Sequence, residues 1–306
     1  MGTNPRKKLI TLNEFLKDNS SKIIGGLGLG GGIRTLYRPL SILREKERAI
    51  KKEDLWILNE IHENYIIVKN KINGKTIKID KKFLISSLRR HSNINYIDIT
   101  NKNDYLITEN FDKIDNYLDD DKILKKFINN LDIWKNYIKT RKGNIFIIRK
   151  YDISAKGTSL LCFYSETPTV PGEFWIINPL TIEDAKILSL WLNSTPNLIQ
   201  LLINRTEQRG AWMKNDIKTL KENYILNPNS LNNEEKNEIL NIFEQVANKK
   251  FQSILRQFEL KDVNRMLIDK CIFKILNYNE NEIEQIINNI YPNIENEIVL
   301  LKKLMK

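Results

Sequence analysis

The spacing of apolar residues changes once along this chain, near Thr181, and that change constrains the fold more than any other feature. Before it, apolar and β-branched residues alternate in short runs. After it, they recur at helical spacing. NIFIIRKYDI, TSLLCFYSE and EFWIINP read as strands rich in aromatic and branched side chains, and DYLIT and NYIDIT as shorter ones. YIIVKNKINGKTIKID reads as a hairpin turning at Asn73-Gly74. Helices interrupt this half at TLNEFLKDNSSK, where Thr11 and Glu14 have capping-box spacing, and at ILKKFINNLDIWKNYI. KKFLISSLRR reads as a short helix or turn with a basic edge. From Thr181, which caps TIEDAKILSLWLNS, helical patterns run to the end. Strands first and helices last, with no βαβ rhythm, predict an α+β protein: a strand-rich mixed domain followed by a helical C-terminal region. The expected segments are an N-terminal helix or arm over 1–22, the strand-rich part over 23–180 and the helical part over 181–306.

Lys22–Pro39 holds most of the clustered glycines, and Gly26, Gly28 and Gly31 match G-x-G-x-x-G. A dinucleotide loop needs a full strand before the glycines and a helix after them. Here only Lys22–Ile24 precede, and Pro39 forbids a helix through IRTLYRPLSIL. With no Gly-Lys-Ser/Thr a P-loop is excluded too. The glycines are expected to form a turn that brings backbone close to another segment, with Arg34 and Arg38 projecting just after it.

The formal charge of +11 fits a polyanionic partner, and it is distributed in blocks. Residues 1–52 carry twelve Lys/Arg against four Asp/Glu, 109–121 are acidic, and 135–156 carry seven positive charges against one. Cys162 and Cys271 both lie in apolar runs and are expected to be buried thiols of a reducing cytosol. With His62 and His91 they have no zinc-ligand spacing. No apolar run reaches membrane length and no signal core opens the chain, so a cytoplasmic protein is expected, with no membrane partner.

Residues 172–228 join a strand, a helix ending in Trp191-Leu-Asn-Ser-Thr195, a second helix, and Arg205-Thr-Glu-Gln-Arg-Gly-Ala-Trp-Met213. This resembles the C-terminal target-recognition region of adenine-specific DNA methyltransferases of restriction–modification systems, in which such a helix end precedes an arginine loop of the form R…G-x-(aromatic)-x. The glycines at 25–35 resemble that family's G-x-G-x-x-T start. NGKTIKIDKKFLISSLRRHSNINYI resembles its G…I-E-K-x-F-L-x-P-x-L-R segment, with Ser86 in place of the proline. Arg265-Met-Leu-Ile-Asp269 resembles its R-x-x-I-D helix. The similarity covers most of 22–277, with four motifs in the same order.

The family's catalytic Asn/Asp-Pro-Pro-aromatic tetrapeptide is absent, as is its methyl-donor motif. The resemblance therefore implies double-stranded DNA recognition without methyl transfer by this chain. S-adenosylmethionine is expected only on a catalytic partner subunit or domain. Phosphate contacts require Lys and Arg, and base-edge readout requires Arg, Lys, Asn or Gln. The candidates are Arg34, Arg38, Arg89, Arg90, His91, Arg141, Lys142, Arg205, Arg209 and Lys214. Trp212 joins them, either as core packing or as a wedge against the duplex. Asn193, Ser194 and Thr195 are expected to cap and turn their helix end. No carboxylate cluster suits a metal-dependent nuclease, and no nucleophile elbow suits a hydrolase. The alternative is a non-catalytic docking or scaffold module working through the apolar faces of the last helices.

Overall fold

The computed structural model describes residues 8–29, 34–44, 55–178, 180–205 and 210–305. The chain opens with β1 (Leu9–Thr11), α1 (Leu12–Asp18) and β2 (Lys22–Gly25), then the single turn α2 (Arg34–Tyr37). Strands β3 (Ser41–Leu43), β4 (Trp56–Ile61), β5 (Tyr65–Asn70), β6 (Thr76–Asp80), β7 (Leu84–Leu88) and β8 (Asp104–Ile107) follow. Three helices come next: α3 (Ile114–Tyr117), α4 (Asp121–Asn129) and α5 (Leu131–Thr140). Strands β9 (Gly143–Ile148), β10 (Lys150–Asp152), β11 (Cys162–Pro171) and β12 (Phe174–Asn178) precede α6 (Ile182–Asn193) and α7 (Thr195–Ile203). Beyond these lie β13 (Trp212–Lys214), α8 (Ile217–Glu222) and β14 (Tyr224–Leu226). The chain ends in α9 (Asn233–Val246), α10 (Ile254–Glu259), α11 (Val263–Ile275) and α12 (Glu280–Lys303). The α+β class expected from the period change is the class observed.

Among the described residues, ten strands form one mixed sheet in the order β2-β12-β9-β11-β7-β8-β3-β4-β5-β6. Its middle joint is slender. β11 meets β7 in parallel through Val170↔Ser87 and Pro171↔Leu88 only. Two hydrophobic cores lie on either side of this joint. One packs α1, β2, β9, β11 and β12 against the C-terminal helices, around Phe146, Phe163, Trp191, Ile272 and Ile298. The other gathers β3–β6, β8 and α3–α5 around Trp56, Tyr117, Phe127 and Trp134. Trp56 stacks on Tyr117 with ring centroids 4.5 Å apart, and Trp134 donates to the carbonyl of Ile107 at 2.9 Å. Trp56 in turn donates its indole N–H to the Tyr117 carbonyl at 3.1 Å, so both buried indoles are satisfied.

Local signals account for many element ends. Thr11 and Glu14 form the expected reciprocal capping box, and the Thr181 hydroxyl accepts from the Asp184 amide at 3.0 Å. The hairpin turns with Gly74 at φ +72°, in register Lys69↔Thr76. Three local expectations are corrected. After a turn at Lys81–Phe83, Leu84–Leu88 forms β7, because it pairs with β8 along Leu84–Ser87 and with β11 at Ser87 and Leu88. NYIDIT makes no ladder and touches the sheet through one bridge, Asp98↔Tyr164. The helical stretch 123–138 breaks at Asn130, which caps one helix and opens the next, so α4 and α5 are separate.

Two of the family-like motifs meet in space. The Asn193 side chain, 1% exposed, accepts from the amides of Leu161 and Cys162 and donates to the carbonyls of Cys162 and Ser189. It ties α6 to β11. Asp269 accepts from the Thr195 amide at 2.7 Å, the Thr195 hydroxyl and the Tyr291 hydroxyl at 2.6 Å. Arg265 donates to the carbonyl of Asn193 at 2.6 Å and to Gln257 Oε1 at 2.8 Å. Burial raises the Asp269 pKa, against the opposing pull of Arg265, Thr195 and Tyr291. The Leu-Asn-Ser-Thr and Arg-x-x-Ile-Asp motifs are thus two halves of one buried polar network joining α6, α7, α11 and α12. Asn193 and Thr195 act in core connection as well as in turning the chain.

Candidate functional site

The first glycines are explained by packing. Gly26 N donates to the Phe174 carbonyl at 2.9 Å and Gly28 N to the Gly172 carbonyl at 3.2 Å. A Cβ on Gly26 would stand 2.3 Å from the Gly172 oxygen, and one on Gly28 would stand 2.8 Å from Glu173 Cγ. A Cβ on Gly172 would in turn meet the Arg89 carbonyl at 2.8 Å and Tyr37 Cε1 at 2.9 Å. Three backbone segments therefore close to distances that only glycine permits: the end of β2, the β11–β12 turn and the residues after β7. Arg141 braces the junction by donating to the carbonyls of Gly25 (2.8 Å) and Gly26 (3.3 Å), while its guanidinium lies over Tyr137.

This closure creates a groove of about 720 Å³. The first glycine segment and α2 contribute Gly28, Arg34, Thr35, Tyr37 and Arg38. The turn after β7 contributes Arg89, Arg90, His91 and Ser92. β10 gives Lys150, the β11–β12 turn gives Glu173 and Phe174, and β13 gives Trp212. Five cations and one carboxylate line it. Arg34 and Glu173 pair at 2.9 Å, both well exposed, so the pair adds little stability. Arg89 is 5% exposed and its amide donates to Asp104 Oδ2 at 3.3 Å. Burial first, then Arg90 and Arg38, lower its pKa to about 10, against Tyr37 and Asp104. It stays charged at neutral pH. Burial lowers the His91 pKa to about 4, so its ring, edge-on to Phe174, is neutral there.

Six of the residues singled out in the sequence converge here: Arg34, Arg38, Arg89, Arg90, His91 and Trp212. Trp212 is 49% exposed, which removes the core-packing alternative. The reason is alternation along β13: its neighbours Ala211 and Met213 are 0% and 2% exposed, so the residue between them faces out. Gly210, at φ +61°, packs so closely on the end of α12 that a Cβ there would stand 2.8 Å from the Leu301 carbonyl oxygen. Other candidates sit elsewhere. Arg205 lies 3.9 Å from Glu297, and Lys214 pairs with Asp216 at 2.6 Å. The Lys142 carbonyl accepts from Asn178 at 3.0 Å. Arg209 is outside the described residues. Sequence reasoning missed Lys150, Thr35 and Ser92. Lys150 falls in the basic 135–156 stretch, but only the pairing of β10 with β13 brings it beside Trp212's strand.

Both thiols are buried, and burial pushes the Cys271 pKa up to about 12, which leaves it inert. Among the described residues no group of His, Cys, Asp and Glu could hold a metal. No described helix is long and apolar enough to cross a membrane.

No protein-family model matches the chain, and no curated protein sequence matches it. Its fold is similar to part of a solved structure, the type IIG restriction endonuclease BpuSI. The TM-score is 0.60, the identity 16%, and 99% of this chain is covered. The chain spans about a third (32%) of the length of that protein.

Proposed function

We propose that this chain recognises double-stranded DNA as the specificity part of an adenine-specific DNA methyltransferase, in a restriction–modification or related defence system. The observation that carries the reading is the groove. Five cations from three separate chain segments line one concavity together with an exposed indole from a fourth. Lys and Arg at such a surface neutralise phosphates and release counterions. Thr35, Ser92 and neutral His91 supply donors and acceptors suited to position a duplex. The similarity in fold to a restriction endonuclease, and the ordered motifs of methyltransferase recognition regions, support the same reading. The groove would seat the duplex, with Arg34, Arg38, Arg90 and Lys150 toward its backbone and Trp212 beside it.

The chain has neither the tetrapeptide that holds a target adenine nor a methyl-donor motif. Transfer would therefore belong to a catalytic subunit or domain that binds S-adenosylmethionine, and this chain would supply the choice of DNA site. Fluorescence anisotropy with a labelled duplex, read across a salt series, tests the proposal. If the four lining cations other than the buried Arg89 meet phosphates, log K falls against log [salt] with a slope of about −3 to −4, and unlabelled duplex outcompetes single strands and RNA. Absence of duplex binding at low salt would refute it and favour a docking module.

A further inference from the structure

The groove holds more than a phosphate grip requires. Surface arginines can bind a duplex backbone on an open face. Here the cations line a concavity whose volume falls within the range of pockets that enclose small molecules, about 300–1,000 Å³. It is lined by Arg38, Arg90 and the half-exposed Trp212, and by Arg89, whose terminal guanidinium nitrogens are buried. A single exposed aromatic is unremarkable by itself. This one is rigidly mounted on its strand. It pairs with Asp152, lies between two buried neighbours, and the Ala211 carbonyl before it accepts from the Ile153 amide at 3.0 Å. An exposed indole and clustered arginines lining one groove match the two ends of one nucleotide, a base and its phosphate.

We infer that the groove captures a single nucleotide unstacked from the bound duplex, its base against the Trp212 indole and its phosphate on Arg38 and Arg90. This rests on the duplex-recognition reading and deepens it. Aromatic stacking accepts any base, so the contact marks a deformable position in the site more than a particular letter. Unstacking is least costly where a base is already unpaired. A duplex carrying one bulged base should therefore bind better than its fully paired counterpart.

The test compares a paired duplex with the same duplex bearing one bulged 2-aminopurine, using the full chain with Trp212, Trp212→Leu and Trp212→Phe. The expected result is about tenfold tighter binding of the bulged duplex, with 2-aminopurine fluorescence quenched on binding. Trp212→Leu should abolish both the preference and the quenching while keeping the salt slope, and Trp212→Phe should retain most of the preference. Equal affinity for both duplexes, or a preference that survives Trp212→Leu, overturns nucleotide capture. If both duplexes nonetheless bind with a steep salt slope, DNA recognition itself stands. Failure of both to bind at low salt overturns both readings.

Discussion

Replacing Asp269 by Ala tests whether the buried network holds the helical part together. The carboxylate, fully buried, receives three hydrogen bonds from the Thr195 amide, the Thr195 hydroxyl and the Tyr291 hydroxyl. The two hydroxyls can turn toward other acceptors, and each costs about 0.5–1.5 kcal/mol when its bond is lost. The amide at the start of α7 cannot turn, and an orphaned buried donor costs about 1–3 kcal/mol. Together these give a loss of about 3 kcal/mol, a large fraction of the 5–15 kcal/mol typical of a folded domain. Asp269→Asn keeps the volume and lets the hydroxyls rearrange, so it should lose only about 1 kcal/mol. The assay is urea unfolding followed by circular dichroism, with the midpoint falling by about 1 M for Asp269→Ala at a slope near 3 kcal/mol/M. Because Asp269 contributes nothing to the groove, the salt slope of DNA binding should be unchanged in the folded variant. A midpoint within about 0.2 M of the parent would refute the reasoning. The network would then be replaceable by water or local rearrangement.

Arg38→Gln and Arg90→Gln should each reduce the salt slope by about one, weakening binding evenly across DNA sequences, as anisotropy will show. Gly26→Ala places a methyl group against two carbonyl oxygens at 2.3 and 2.5 Å. It should cost about 1–3 kcal/mol in thermal or urea unfolding and lower DNA affinity by opening the groove. His91 titrates at about 4 in the fold and near 6.5 when unfolded. The unfolded chain therefore takes up its proton first as pH falls. Stability present above about 6.5 is lost toward pH 4, by at most about 3 kcal/mol. His91→Gln should flatten that part of the stability–pH curve, and duplex affinity should show no His91 titration between pH 6 and 8.

The class of fold was legible because periodicity is local, and the cap at Thr181 marks where it changes. β7 was harder. FLISSLRR has no turn residue to stop a helix, and its strand state depends on β8 and β11, which come later in the chain. The groove was partly legible. Arg34 and Arg38 follow the glycines, and Arg89, Arg90 and His91 form a dense polar cluster. What no spacing could reveal is that Gly172 draws these two segments together, or that β13 adds Trp212 from a third. Arg141 shows the opposite case. Its place in a basic block suggested a phosphate ligand, yet its guanidinium is engaged by two glycine carbonyls and a tyrosine ring. Charge in a sequence says that a cation exists, and only packing says what it faces.

The way the first strands are placed has a consequence for how the molecule is made. β1 pairs with β14 and β2 with β12, and Lys8 reaches Glu235, 227 residues along the chain. Most of the second core, from Leu36 to Ile138, lies between those partners. On a ribosome, β1 and β2 emerge well before their partners at 174–178 and 224–226, so they must wait while that intervening core condenses from nearer contacts. Closing so long a loop adds an entropic barrier that grows only slowly with length, but the unpaired edges stay exposed throughout the wait. Assembly order thus runs from the middle of the polypeptide outward. Slow refolding and aggregation should trace to the late docking of residues 8–25, and not to the many-stranded sheet as a whole.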